Sequence, residues 1–210
     1  MPGSDLVPGQ EFFPFERFLI NLVSYFQLDI NNINVGLVLY GREAVPINWP
    51  QPFKGSKQIN TRITLMSQRS AFMGQLNGGN DVGMAIKVMR HMFYSPSGMP
   101  TPGPRPGVKR IGVVFTYNNV EPAERQSVVD ATREAKADDI VLYAVGKGRA
   151  GPEFGAIGSD YCKSFSMGRF IDGLPSVLAF LGSSICSEMD PTVNVTAQNC
   201  FPRKYIASTY

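Results

Sequence analysis

The sequence predicts an α/β fold, with a doubly wound and mainly parallel sheet flanked by helices. Three apolar runs rich in β-branched residues have the length and composition of buried strands: residues 33–40, 108–116 and 140–145. Amphipathic segments lie between these runs. Parallel strands are joined by helical crossovers and are covered on both faces, so this alternation is typical of a layered α/β domain.

Five segments are predicted to be helices. In the first of them, aromatic and aliphatic side chains recur every three or four residues, which places them on one buried side. Pro14 and Pro122 suit the first turn of a helix, where the missing N–H is not needed. The five segments are residues 12–26, 58–67, 81–93, 121–135 and 174–186.

The remaining segments are weaker strands and loops. Residues 44–49 are expected to form an edge strand that stops before Pro50, because proline cannot donate to a sheet ladder. Residues 164–167 are expected to form a short strand. Three segments are expected to lack regular structure, because they are rich in proline and glycine or are polar without periodicity. They are residues 95–107, 146–158 and 187–210.

Length and composition exclude several classes of protein. The chain has 210 residues, is 43% hydrophobic and carries a formal net charge of +3, which suits one domain plus extensions. The basic residues are too few and too dispersed to indicate nucleic-acid binding. No apolar run approaches the roughly 20 residues that a membrane-spanning helix needs. Residues 1–5 lack the features of a signal peptide, so the sequence is expected to be intracellular or a piece of a longer chain.

Five motifs occur in the order and spacing of one known family. They are FFPFERFLINLV at 12–23, NVGLVLY at 34–40, Gly78-Gly79 followed by Gly83, GVVFT at 112–116 and IVLYAVG at 140–146. From about residue 3 to Cys186 the chain resembles von Willebrand factor A (vWA) domains of the extracellular matrix and adhesion type. The resemblance implies a vWA-like domain over residues 1–187, followed by a tail or linker over residues 188–210.

The resemblance also implies a gap in the sheet. Domains of this family begin with a central apolar strand that leads into their first metal-binding loop, whereas this sequence starts within that loop. The middle strand is therefore expected to be missing, which would leave a slot in the core. A piece of a longer chain, or a rearranged fold with a substitute strand, would both explain the gap.

Many vWA domains bind a divalent ion at the metal-ion-dependent adhesion site (MIDAS), and here that site is predicted to be degenerate. The family's first metal-binding motif has three ligand positions. In this sequence only Ser4 offers a side-chain oxygen there, since the other two positions hold proline and leucine. Asn80 replaces the usual threonine and Tyr117 replaces the usual aspartate. Losing carboxylates removes most of the attraction for Mg²⁺. Asp5 and Asp81 each lie one residue away from a ligand position. No metal or other cofactor is therefore expected.

What the resemblance implies is binding, and we expect a non-catalytic adhesion domain that contacts collagen or another matrix protein without a metal ion. The candidate contact surface is the edge strand with Trp49 and Phe53, because aromatic residues are favoured at interface centres. These two side chains could instead simply cover the end of the sheet. The other candidate binding positions are those of the degenerate site: Ser4, Asn80, Asp81 and Tyr117.

Two other classes of function stay open. A structural component of an extracellular or biomineral matrix would use the same surface chemistry. An α/β enzyme is less favoured, because the sole histidine, His91, falls inside a predicted helix. No G-x-S-x-G or C-x-x-C motif is present. The glycines after residue 146 follow a strand but lack the spacing of a phosphate-binding loop.

Cysteines and one sequon bear on the compartment. The chain has three cysteines, so at least one is free or paired outside this sequence. The family places a disulfide at the position of Cys186, with its partner before the first strand, and Cys162 and Cys200 could then pair with each other. Asn194 begins an N-glycosylation triplet. Together with the resemblance, these features predict a secreted protein of the extracellular matrix.

Overall fold

The fold was analysed in a computed structural model of the chain. The residues that the structure describes are 9–26, 33–52, 55–68, 79–94, 107–116, 120–146, 152–166 and 170–189. Among them, no helix is both long enough and apolar enough to span a bilayer.

The strands form two sheets. β1 (Asn34–Tyr40) and β2 (Ala44–Pro52) pair antiparallel, while β3 (Arg110–Thr116), β4 (Ile140–Gly146) and β5 (Ser164–Ser166) pair parallel in that order. β2 continues past Pro50, which corrects the predicted end of this strand. An edge strand can include prolines, because it pairs on one side only. Two register shifts in the β1–β2 pairing, each with an extra residue in β2, accommodate them.

Helices connect and cover these strands. They are α1 (Gly9–Tyr25), α2 (Ser56–Gln68), α3 (Val82–Phe93), α4 (Arg125–Ala137), α5 (Pro152–Ile157) and α6 (Phe170–Met189). A 3-10 turn at Pro122–Glu124 leads into α4. The prediction missed α5, which lies within the glycine-rich stretch after β4, and began α6 four residues late. α5 is buried through Ile157 against β4 and α4, a tertiary contact that composition does not reveal.

The sheet strands separate two apolar layers. Alternate residues of β4 point in opposite directions: Tyr143 and Val145 face one layer, and Leu142 and Ala144 face the other. The first layer consists of α1, α2 and α6, and the second of α3, α4 and α5. Helices therefore cover both faces, which confirms the predicted α/β class with its parallel sheet.

The predicted gap in the sheet is also present among the described residues. No ladder joins β1 to β3, so the sheet is divided into an antiparallel pair and a parallel triplet. Gly112 of β3 lies beside this gap, with the sulfur of Met89 so close that a Cβ atom at Gly112 would approach it to 2.3 Å. α3 thus packs directly on the β3 backbone and holds the two sheets in place.

The most buried strand gives a test of this architecture. Leu142 has no exposed surface, so Leu142→Ala is expected to lower the free energy of unfolding by about 2–5 kcal/mol. Urea denaturation followed by circular dichroism measures this loss. Leu65→Ala is the matched control, because Leu65 is 40% exposed on α2 and should change the stability far less. Equal losses in the two variants would contradict the layer assignment.

Candidate functional site

The carboxyl ends of β1 and β3 meet in a small polar cluster. Asn80 and Thr116 are both buried, and the Asn80 Nδ2 atom donates to the Thr116 hydroxyl at 3.2 Å. Beside them, the Tyr40 hydroxyl donates to the backbone carbonyl of Phe115. Burial raises the pKa of Tyr40 far above its usual range, so this phenol stays neutral. The cluster is therefore uncharged and internally hydrogen-bonded.

Asp81 is the acidic residue next to this cluster, and the structure uses it as a helix cap. Its Oδ1 atom accepts from the backbone N–H of Met84 at 2.8 Å, which caps the first turn of α3. Its own backbone N–H donates to the Gly41 carbonyl at 2.7 Å. Asp81 therefore links the β1–β2 turn to α3, and one carboxylate oxygen is already engaged.

Two charged residues that the sequence analysis did not single out lie near Asp81. Arg42 packs its side chain against Gly79, whose backbone has φ of 79°, a conformation that favours glycine. Partial burial is the largest cause that raises the pKa of Glu124, and the negative charge of Asp81 is the next largest. Arg42 acts in the opposite direction and lowers this pKa. No sequence signal links residues 42 and 124, because only the fold brings them together.

Trp49 lies in a different place. It is half-buried on β2, and its ring packs edge-to-face against His91 with centroids 6.1 Å apart. His91 is near the end of α3, whereas Asn80 precedes its start, so about 14 Å of helix separates them. Asn80 and Asp81 therefore lie at the start of α3, whereas Trp49 lies near its end.

Several predicted residues lie outside the described part of the chain. These are Ser4, Phe53, Tyr117, Asn194 and Cys200. Of the other cysteines, Cys162 is disulfide-bonded and Cys186 has a free thiol. Burial raises the pKa of the Cys186 thiol, so it stays protonated at neutral pH.

Comparison with known proteins identifies the family. The model of the von Willebrand factor type A domain matches residues 2–161. The chain belongs to this family. Its fold is the vWA fold, as the layers and parallel strands described above indicate.

Relatives of this vWA domain include two matrilins. Matrilin-1 of Gallus gallus is 28% identical over 151 residues, which are 70% of this chain and 27% of the relative. Matrilin-2 of Mus musculus is 27% identical over 151 residues, again 70% of this chain but 14% of the relative. The chain thus spans about a quarter or less of the length of these curated relatives.

The vWA fold is also shared with a solved structure, proximal thread matrix protein 1 from the mussel byssus. It superposes with a TM-score of 0.67 at 19% identity, covering 84% of this chain and 42% of that protein. Another structure of the same protein has a zinc-occupied MIDAS motif, with a TM-score of 0.68 at 18% identity over 84% of this chain and 43% of that one. At such identities the likeness concerns the fold.

Among the residues that the structure describes, the polar cluster of this vWA domain offers few ligands for a divalent metal ion. A hard divalent cation needs several oxygen ligands, usually with carboxylates among them. Here the Asn80 amide and the Thr116 hydroxyl bond to each other, and Asp81 caps a helix. In the described part of the chain, no three His, Cys, Asp or Glu side chains form a group suited to a metal ion.

Removing the carboxylate of Asp81 tests its role as a cap. Asp81→Ala is expected to lower the free energy of unfolding by about 1 kcal/mol, because the first turn of α3 loses its acceptor. Asp81→Asn should retain most of the stability, since asparagine caps helices about as well. Thermal unfolding of the two variants in EDTA provides the comparison. Equal destabilisation by both substitutions would mean that the negative charge of Asp81, and not its capping hydrogen bond, stabilises the fold.

The raised pKa of Glu124 predicts a pH-dependent stability. Partial burial and Asp81 make ionisation of Glu124 less favourable in the folded state than in the unfolded state. The neutral Glu124 side chain therefore makes its full contribution to the stability of the fold below the unfolded-state pKa of about 4.3. This contribution is lost as pH rises through the raised folded-state pKa. Glu124→Gln should then melt at a higher temperature than the parent at neutral pH. Near pH 3 the difference should disappear.

Thermal unfolding across this pH range measures the effect. Glu43→Gln is the matched control, because Glu43 is exposed and is not among the charges that shift the pKa of Glu124, whereas Glu121 is one of them. A stabilisation by Glu124→Gln that is independent of pH would contradict the electrostatic cause.

Proposed function

We propose that this vWA domain binds a protein of the extracellular matrix, with collagen as the first candidate, and that binding needs no metal ion. Membership of the family and the similarity to matrilins support a matrix role. So does the likeness to a protein named as a thread matrix protein. The observation that carries the metal-independent part is the hydrogen bond between Asn80 and Thr116, beside an aspartate that caps α3.

In the described part of the chain, the buried Asn80–Thr116 pair at the carboxyl ends of β1 and β3 carries no charge for ion-bridged binding. Asn80 and Thr116 are 2% and 5% exposed, so a partner's carboxylate would have to reach two buried, mutually bonded side chains. Breaking that bond would leave buried polar groups without partners, at a cost of about 1–3 kcal/mol for each group. A side surface is therefore the better location for a protein contact.

The β2 edge is the side surface that we propose. Val45 is 41% exposed there, and Trp49 is half-buried on the same strand. Trp49 rests on His91, which is exposed and holds the indole ring at the surface. A tryptophan supported in this way can contribute a large apolar area to an interface with little loss of side-chain entropy. Phe53 is included in the proposed surface from its position in the sequence.

We further propose that the domain is not a catalyst. His91 lies on an exposed face of α3, near the end of the helix remote from Asn80 and the carboxyl end of the sheet. Active sites of open α/β sheets lie at that carboxyl end. A histidine at the opposite end of α3, packed against an indole ring, is poorly placed to act as a general base there.

The proposal also covers the location of the chain, its covalent modifications and the extent of its domain. We propose that the chain is secreted, that Asn194 carries an N-linked glycan, and that Cys162 pairs with Cys200. The half-buried thiol of Cys186 would then be available to a cysteine elsewhere in a longer polypeptide. We also propose that the domain extends over residues 1–187 and that residues 188–210 form a tail or linker.

A solid-phase assay on fibrillar collagen tests the main proposal. The 210-residue chain is expected to bind equally well with and without EDTA. Trp49→Ala should weaken binding by about tenfold or more, because an anchor of this kind contributes at least about 1–2 kcal/mol. Val129→Ala is the matched control, since Val129 is 40% exposed on α4 and not on the proposed β2 surface. Circular dichroism verifies that each variant is folded.

Loss of binding in EDTA would refute metal independence and would point to Asp5 or Asp81 as a ligand. Equal binding by the Trp49 and Val129 variants would refute the β2 surface. A folded chain that binds no collagen under either condition would favour the second candidate function, a structural component of an extracellular or biomineral matrix. The name of the byssal thread protein is the observation that favours this alternative.

A further inference from the structure

An apolar cavity of about 260 Å³ lies between the two sheets. Its long sides are β1 and β3, and helices of both layers close it. The lining includes Leu37 of β1, Val113 of β3, Leu22 of α1, Ile185 of α6 and Met89 of α3. Water inside such walls would lack hydrogen-bond partners, so apolar cavities hold it poorly. An occupant of this cavity is therefore mainly apolar.

The cavity is long and narrow. Its lining extends from Asn34 to Tyr40 along β1 and from Lys109 to Phe115 along β3. A strand of seven residues spans roughly 20 Å. Over that length, a volume of about 260 Å³ leaves room for a single chain of atoms. It also falls below the roughly 300 Å³ at which sites for drug-sized ligands begin. An unbranched alkyl chain suits this space better than a ring system.

The two ends of the cavity differ. At one end, the buried Tyr40 donates its hydroxyl hydrogen to the backbone carbonyl of Phe115, which is also buried. Tyr40 ends β1 and Phe115 lies next to the end of β3, so the amino ends of both strands lie at the other end. Asn34 and Lys109 line the cavity there, and Lys109 is exposed. The cavity is thus closed at the carboxyl ends of β1 and β3 and reaches solvent at their amino ends.

Lys109 supplies a positive charge at the open end. Among the described residues that line the cavity, no other side chain is charged. Lys109 has no ion-pair partner in the described part of the chain, whereas its neighbour Arg110 is bonded to the Tyr94 hydroxyl. Asn34, at the same end, adds an amide that can donate a hydrogen bond. An ammonium group at the mouth of an apolar cavity complements an anion whose remaining part is apolar.

Methionine side chains make one wall of the cavity adaptable. Met89 and Met92 of α3 both line it. Methionine is unbranched and polarisable, so its side chain adjusts to apolar atoms that enter such a space. Met84 lies on the same helix but is 41% exposed and is not part of the lining. These three methionines therefore report separately on the cavity and on the outer surface of α3.

We propose that this cavity binds a fatty acid of medium chain length, with its alkyl chain between β1 and β3 and its carboxylate beside Lys109. The chain fills the apolar space, while the carboxylate stays hydrated at the open end. A lipid with two chains would exceed the volume of about 260 Å³. Trp49 does not line the cavity, so this site is separate from the β2 surface proposed for protein binding.

Methyl NMR of the 210-residue chain, isotope-labelled at its methionine methyl groups, locates the ligand. Decanoate is the probe, and it is kept below the concentration at which it forms micelles. Its addition is expected to shift the signals of Met89 and Met92 and to leave that of Met84 almost unchanged. Equal shifts at Met84 and Met89 would place the ligand on the outer surface and would overturn the proposal. So would the absence of a shift at Met89 and Met92, because the cavity would then be closed or already filled.

Calorimetric titration tests the role of the charge. Lys109→Met keeps an apolar side chain but removes the ammonium group, and it is expected to weaken decanoate binding by about fivefold, the upper range for an exposed ion pair. Binding of decanol, which has the same chain without the charge, should be unchanged. Lys87→Met is the matched control, since Lys87 is exposed on α3 outside the cavity lining and should leave both affinities unchanged. Equal losses of decanoate and decanol binding in the Lys109 variant would overturn the carboxylate assignment.

Discussion

The parallel pairing of β3 with β4 is the constraint on which the other elements depend. Their register is continuous from Arg110–Ile140 to Thr116–Gly146, so seven consecutive positions of each strand are fixed relative to each other. Alternate side chains of these strands then enter opposite layers, and among the described residues three helices contribute to each layer. A slip of one residue would exchange the two sets of side chains, so the hydrophobic pattern holds the register.

α3 connects the parts of the molecule on which the proposed function rests. Its start adjoins the polar cluster, because Asp81 caps the helix and bonds to the β1–β2 turn. Its middle packs Met89 onto Gly112, and its end supports Trp49 through His91. One helix therefore sets the positions of the buried Asn80–Thr116 pair, the wall of the apolar cavity and the exposed aromatic edge. A vWA scaffold with a neutral polar cluster still offers side surfaces for protein binding.

The polar cluster and the cavity are adjacent. Tyr40 and Phe115 close one end of the cavity, while Thr116, the next residue of β3, bonds to Asn80. One end of the cavity wall and the geometry of the cluster therefore depend on neighbouring residues of β1 and β3.

The sequence by itself determined the class of fold, the order of the strong strands and most helices. Apolar runs such as IVLYAVG and helical periodicity are local properties that burial on one or two faces imposes. It also predicted the gap beside β1, because the gap depends on where the family's first strand aligns. The loss of acidic ligands at the family's metal site stays a prediction, since Ser4 and Tyr117 lie outside the described residues. α5 and the full length of β2 were missed, since glycine and proline there are tolerated through tertiary contacts and edge position.

Only the tertiary structure decided which polar groups meet. It bonds Asn80 to Thr116, uses Asp81 as a cap, and brings Arg42 and Glu124 close to Asp81 from distant parts of the chain. It also separates Trp49 from that cluster by the length of α3. Sequence patterns report which face of an element is buried, but hydrogen bonds and electrostatic interactions between elements depend on distances that arise only when the layers pack.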